Sequence, residues 1–214
     1  MFRKKIISIN TNDDDLIKIK DISGEKFNKN IKLFVEPEYK VVVLKNNVQF
    51  GEVFEVGGEY KPLTKEDKKC TSIQFIFVST KKSTPYNFIT RATSFKDVNG
   101  KICNACFEGE YTFSVRNERK LLATTMATES GKDFTKTDFA NLIEDRVNSA
   151  MLSYILNYYK TKKISILDVD FSKYKKDLEN YVIEILDKYL DDTFGLNARS
   201  LNINALIESE MELK

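Results

Sequence analysis

Histidine is missing from all 214 positions of this chain. That removes the commonest general base, the commonest zinc ligand and the usual partner of a serine or cysteine nucleophile. Cysteine is scarce, with only Cys70, Cys103 and Cys106. Cys103 and Cys106 have the CxxC spacing, which raises the question of redox or metal chemistry. They lie in "KICNACFEGEYTFSV", a strand-like run in which residues three apart point to opposite faces. Neither a second CxxC nor a histidine completes a zinc set. Both are read as small hydrophobes, buried or half-buried.

Long apolar runs are also missing, and none approaches the roughly 20 residues that cross a bilayer. The opening "MFRKKIISIN" has a basic flank, but Asn, Thr and three Asp follow its short apolar patch. It lacks the h-region of a signal peptide, so the expectation is a cytoplasmic chain that does not span a membrane. Neither sign of charge dominates: 34 Lys and Arg face 32 Asp and Glu, for a formal net charge of +2. Near balance argues against a protein whose main task is gripping nucleic acid. No GxGxxG and no P-loop occurs, so no nucleotide cofactor is expected. What is present, 42% hydrophobic and 31% charged residues, is the composition of a soluble globular protein. The length suits one large domain or two small ones with real cores.

Periodicity divides the chain. From Phe2 to about Val115 it is mostly strand-like. "KKIISI" and "LIKIKDI" read as strands joined through Asn12-Asp13-Asp14-Asp15. "YKVVVLK" and "VQFGEVFEV" form a hairpin around Asn46-Asn47, where Asn tolerates the positive φ of a tight turn. Val41, Val42, Val43 and Leu44 place apolar groups on both faces, so that strand is expected to be covered on both sides. Gly57-Gly58 supplies a turn where a Cβ would clash. "TSIQFIFVST" is the strongest strand signal, and Pro85 either ends the ladder after it or marks an edge. Asn99-Gly100 predicts a hairpin leading into the CxxC strand.

From about Glu118 the period becomes helical. "NERKLLATTMAT" reads as a short helix. Thr135 and Asp138 form a capping box ahead of a long helix, whose face runs through Phe139, Ile143, Val147, Ala150, Met151, Tyr154, Ile155 and Tyr158. "ISIL" (164–167) returns briefly to strand. A further helix from about Ser172 to Asp192 ends at Gly195 as its cap, and "LNARSLNINAL" closes as a strand. Many strands, two or three helices and one returning strand define an α+β fold.

Few constellations could carry chemistry. Asn12 to Asp15 lacks the spacing and later Glu of an EF-hand and reads as a solvated turn. Asp168 and Asp170 could pair as carboxylates, but they precede a helix, where Asp caps and meets the dipole. Lys160, Lys162 and Lys163, with Lys173, Lys175 and Lys176, form two basic clusters that could meet anionic lipid or RNA; a solvated face is the competing reading. Tyr154, Tyr158, Tyr174, Tyr181 and Tyr189 fall on helical stripes and read as core. Lys81, Lys82, Ser83 and Thr84 form a basic, hydroxylated loop, either an anion contact or an exposed turn.

Taken in order, "KLFVEPEYKVVVLKNNVQFGEVFEVGGEYKPL", "IQFIFVSTKKSTPYNFITRA", "ICNACFEGEYTFSVRNERKLL", "FTKTDFANLIEDRVNSAM" and "ILDVDFSKYKKDLENYVIEILDKYLDDTFGLNARSLNINAL" resemble the SPFH, or band 7, superfamily of stomatins, prohibitins and flotillins. The likeness is to its bacterial, virion core protein-like members without a transmembrane anchor. Two departures stand out: Gly57 occupies the place of a family proline, and Glu108 is inserted before Gly109. The resemblance covers about Ile31 to Leu206 and implies a β-rich subdomain (31–117) and an α/β subdomain (118–206), leaving an N-terminal β segment (1–30) before them and a tail (207–214) after. It implies a non-enzymatic scaffold without cofactor or metal, self-associating and organising proteins at the membrane surface, peripheral at its inner face. A soluble ligand-binding or regulatory module is the alternative. Relatives often assemble through a coiled coil after the domain, and "NALIESEMELK" is too short for one. Either the chain continues beyond it or self-association uses the faces of the domain, with the β-edge near Lys81 to Phe88 and the Phe139–Tyr158 stripe as candidate surfaces.

Overall fold

β-branched and aromatic residues set the first strands, which suit a pleated, half-buried surface. They are β1 (Ile6–Ile7), β2 (Asp15–Asp21), β3 (Lys32–Phe34), β4 (Tyr39–Lys45), β5 (Gln49–Phe54), β6 (Glu59–Tyr60) and β7 (Ile73–Ser79). The computed structural model describes residues 6–8, 14–24, 27–46, 49–55, 58–83, 85–126, 132–165 and 171–208. After β7 come β8 (Tyr86–Ile89), β9 (Thr93–Lys96), β10 (Ile102–Val115), α1 (Glu118–Met126), β11 (Phe134–Thr135), α2 (Lys136–Lys162), α3 (Phe171–Phe194) and β12 (Leu196–Glu208). The fold is α+β. Its two compact units are Met1–Lys81 with Val115–Phe139, and Lys82–Ser114 with Ala140–Lys214.

In the first unit, the five-stranded sheet runs β11-β2-β7-β4-β5, and a three-stranded sheet runs β1-β3-β6. β7 is central, paired antiparallel with β2 and with β4. Val41 and Val43 join Phe75, Phe77, Leu33, Val35 and Ile7 in one buried cluster. Val42 and Leu44 point the other way and are equally buried, at 0% and 2% exposure. α1 packs on β4 and buries Leu121 and Leu122. The strand is therefore covered on both faces, as its unbroken Val-Val-Val-Leu run requires. Asn46 turns the β4–β5 hairpin at φ 54°, a conformation Asn tolerates. Its partner Asn47 lies outside the described residues, as does Gly57. At Gly58 an added Cβ would sit 2.6 Å from the Tyr60 ring.

In the second unit, β10 is the spine of a sheet ordered β12-β10-β8, and β9 also pairs with β10. The β9–β10 pairing sets Ile102 against Lys96, and Gly100 turns the connection at φ 83°. α3 shields β12, its interior side marked by Leu178, Val182, Leu186, Leu190 and Phe194. Gly195 caps it at φ 72°, its amide donating to the Asp191 carbonyl at 3.1 Å.

The helix signals hold in detail. Thr135 Oγ1 accepts from the Asp138 amide at 3.0 Å, while the Asp138 carboxylate accepts from the Thr135 amide at 3.0 Å and from its hydroxyl at 2.7 Å. Those bonds hold the Asp138 carboxyl below the usual carboxylate range. On α2, Phe139, Ile143, Val147, Met151, Ile155 and Tyr158 are each exposed by 1% or less.

Two expectations change. Six of the eight residues of the Phe139–Tyr158 stripe are buried and two, Ala150 and Tyr154, are half-buried, so the stripe faces mainly inward; 3.6-residue periodicity marks an apolar face without saying what covers it. "ISIL" does not return to strand at Ile164 and Ser165. The amide of Ile164 is used to close α2 on the Tyr159 carbonyl at 3.1 Å; Leu167 lies outside the described residues. The change of period near Glu118 starts α1. Val115–Phe139 belongs with the N-terminal strands, because long-range packing and not local period decides which segments share a core.

Candidate functional site

The loop at Lys81 is tied down. Lys81 Nζ lies 3.4 Å from a Glu38 carboxylate oxygen, within the first unit. Ser83, in the second unit, is buried, and its hydroxyl accepts from the Phe113 amide at 2.9 Å. Its own amide donates to the Phe113 carbonyl at 2.7 Å. These bonds fasten the segment along β10, and the Ser83 hydroxyl's acceptor role goes to the backbone. Lys81 is half-buried, Lys82 is exposed, and Thr84 lies outside the described residues. β8 follows as the end strand of the β12-β10-β8 order, with Ile89 55% exposed.

The second candidate set gathers at the C-terminal end of α2. Lys160, Lys162 and Lys163 are all exposed. Lys163 takes φ 55°, its amide bonding the Lys160 carbonyl at 3.3 Å while Ile164 reaches back to Tyr159. This is the paired Schellman closure, with a lysine where glycine is usual. Cations at this end complement the negative pole of the helix dipole, which accounts for part of the clustering.

Beside that end lies a cleft of about 430 Å³. One wall is β9 and its turn, through Phe95, Lys96, Asp97 and Val98; the other is Leu156, Tyr159, Lys160 and Ile164. Its lining is mostly apolar, and both lysines are exposed. Asp97 ties the walls together, because its carboxylate accepts from the Ser165 hydroxyl. The same carboxylate accepts from the Asn99 amide at 2.9 Å and the Lys101 amide at 3.1 Å. Burial pushes the Asp97 carboxyl up, but these bonds outweigh it and hold it below the ordinary range. Among the described residues, the remaining charges on the lining are the Lys96 and Lys160 ammonium groups. Burial, with a smaller push from Tyr158, raises the Tyr159 hydroxyl to about 12, so it is neutral at ordinary pH.

Other candidates have structural roles. Asp14 accepts from the Thr137 hydroxyl at 3.2 Å, and Asp15 pairs with Lys18 at 2.9 Å, so both belong to the architecture of their turn. Lys175 bonds Asn204 at 3.1 Å. The Cys106 thiol donates to the Thr90 carbonyl at 2.9 Å; the Cys103 side chain lies outside the described residues, as do Asp168 and Asp170. No group of three or more His, Cys, Asp or Glu that could hold a metal occurs among the described residues. No helix among them is long and apolar enough to cross a membrane. Tyr158, packed between Tyr159 and Tyr181, is interior, as its stripe position predicts.

Sequence reasoning found Lys160 but missed Lys96, Phe95, Val98 and Leu156. They are distant in sequence and share no spacing. The only available signal was the Asn99-Gly100 turn, which marks a hairpin tip without showing what it faces. No family model and no curated protein matches the chain.

Proposed function

We propose a non-enzymatic scaffold of the SPFH kind that self-associates and organises proteins at the inner face of a membrane. The observation that carries this reading is a mostly apolar cleft lined by two exposed cations, Lys96 and Lys160, with the exposed Lys162 and Lys163 following Lys160 in the chain. An apolar recess bordered by ammonium groups suits the boundary between anionic headgroups and acyl chains, where each lysine adds about 1 kcal/mol. The order of elements supports the family: a β-rich portion, then two long helices, then β12 returning beside β10.

The test is co-sedimentation with anionic phosphatidylglycerol vesicles and with neutral phosphatidylcholine vesicles, together with light scattering for mass. Binding to the anionic vesicles alone, weakening with salt, is expected, with a mass that is a multiple of 24.7 kDa. Lys160→Glu with Lys162→Glu should reduce the sedimented fraction. A strict monomer that ignores anionic vesicles overturns the reading.

A further inference from the structure

We propose that the cleft between the β9 turn and the end of α2 is a binding site for a single fatty acid. The aliphatic chain lies against Phe95, Val98, Leu156, Tyr159 and Ile164, and the carboxylate meets Lys96 and Lys160 at the rim. The inference takes from the reading above only the role of these two lysines as headgroup contacts.

Three features point to this occupant. The volume, about 430 Å³, falls within the range of roughly 300–1,000 Å³ that holds small ligands. The lining separates apolar from charged groups: five aromatic or aliphatic side chains on the walls, and two exposed ammonium groups beside them. A neutral apolar molecule would leave the ammonium groups without a role, and a small anion would leave the apolar walls in water. Only an amphiphile uses both. Among the described residues of the lining, the one carboxylate, Asp97, is oriented by Ser165, Asn99 and Lys101 and so is committed to the protein. The sign of the remaining charge therefore selects an anionic headgroup. The Asp97–Ser165 bond also joins the two walls, so the cleft exists before its ligand arrives, which reduces the ordering cost of binding.

The test uses dodecanoate below its micelle concentration, titrated into isotopically labelled full-length protein and followed by amide shifts. Acetate supplies the headgroup without the chain, and dodecyl maltoside below its micelle concentration supplies the chain without the charge. Saturable one-to-one shifts at residues 95–98 and 156–164 are expected with dodecanoate, and none of comparable affinity with the other two. Charge reversal by Lys96→Glu with Lys160→Glu should weaken binding by about tenfold or more. Val98→Asp should do the same from the apolar side; Val98 is 45% exposed, so this variant keeps the fold. Shifts elsewhere, equal binding of acetate, or no saturation overturns the proposal. Anionic vesicles bound normally with no dodecanoate binding also overturns it while leaving the membrane reading standing. Dodecanoate bound without vesicle binding upholds the cleft and removes the membrane reading.

Discussion

Glu179 on α3 and Ile203 on β12 are joined by a single bond: the Ile203 amide donates to a Glu179 carboxylate oxygen at 3.1 Å. Asp187 does the same for the Ala198 amide at 2.8 Å. Two helix carboxylates thus satisfy amides along a strand that would otherwise present bare donors, the liability of every sheet edge. Both the Glu179 side chain and the Ile203 amide are buried. Glu179→Ala leaves that amide without a partner and should cost about 1–3 kcal/mol in urea unfolding. Glu179→Gln keeps an acceptor and should cost less.

A second close approach crosses the same sheet. A Cβ added to Gly109 would lie 2.0 Å from the Asn202 carbonyl oxygen and 2.8 Å from the Phe88 ring. The carbonyl belongs to the backbone and cannot swing aside. Gly109→Ala should therefore lower stability by about 1–3 kcal/mol or more, seen as a reduced denaturant midpoint with an unchanged slope.

Lys163 sits in the left-handed region at the end of α2, where a side chain costs about 1–2 kcal/mol and glycine little. Lys163→Gly should raise stability by about 0.5–1 kcal/mol. The same change removes a cation from the proposed lipid-facing cluster, so vesicle binding should fall. A stability gain with undiminished vesicle binding would show that Lys163 is a cap and nothing more.

Two titrations report on the cleft. Tyr159 is raised from 10.0 to about 12 by burial, with Tyr158 adding a smaller push. The folded state holds this proton more tightly than the unfolded chain does. Its contribution to stability is therefore complete below pH 10 and is lost as pH rises towards 12. Absorbance titration should show a late tyrosinate whose appearance coincides with unfolding, and Tyr159→Phe should shift alkaline unfolding upward.

Asp97 has the opposite sign. Its folded value lies below 3.8, since the hydrogen bonds outweigh the upward push of burial. Its contribution is present above the unfolded value and is lost as pH falls through the lower folded one. Ser165→Ala should move the Asp97 titration upward by NMR and loosen the joint between the cleft walls.

Local physics made much of the fold legible. The Val41–Leu44 run could only be a strand covered on both faces, because its alternate side chains are all apolar. Thr135 with Asp138 marked the start of α2 to the residue, since a capping box depends on groups three positions apart. Asn46, Gly100 and Gly195 marked turns because few residues tolerate positive φ. The failures have one cause. The Phe139–Tyr158 stripe was visible as an apolar face, but whether core or partner covers it is decided by distant segments. Ser83 read either as part of an anion contact or as part of an exposed turn, and nothing near it in sequence shows that its hydroxyl accepts from the Phe113 amide.

The sequence by itself determined where most strands and helices form, how several of them end and that no histidine-based chemistry is available, because period, caps and composition are local or global properties of the string. Only the tertiary structure decided which segments share a core, and which lysines border an apolar recess. Lys96 and Lys160 are 64 positions apart. They line one cleft because the β9 turn is held to the end of α2 by Asp97 and Ser165, a contact between side chains that no spacing along the chain encodes.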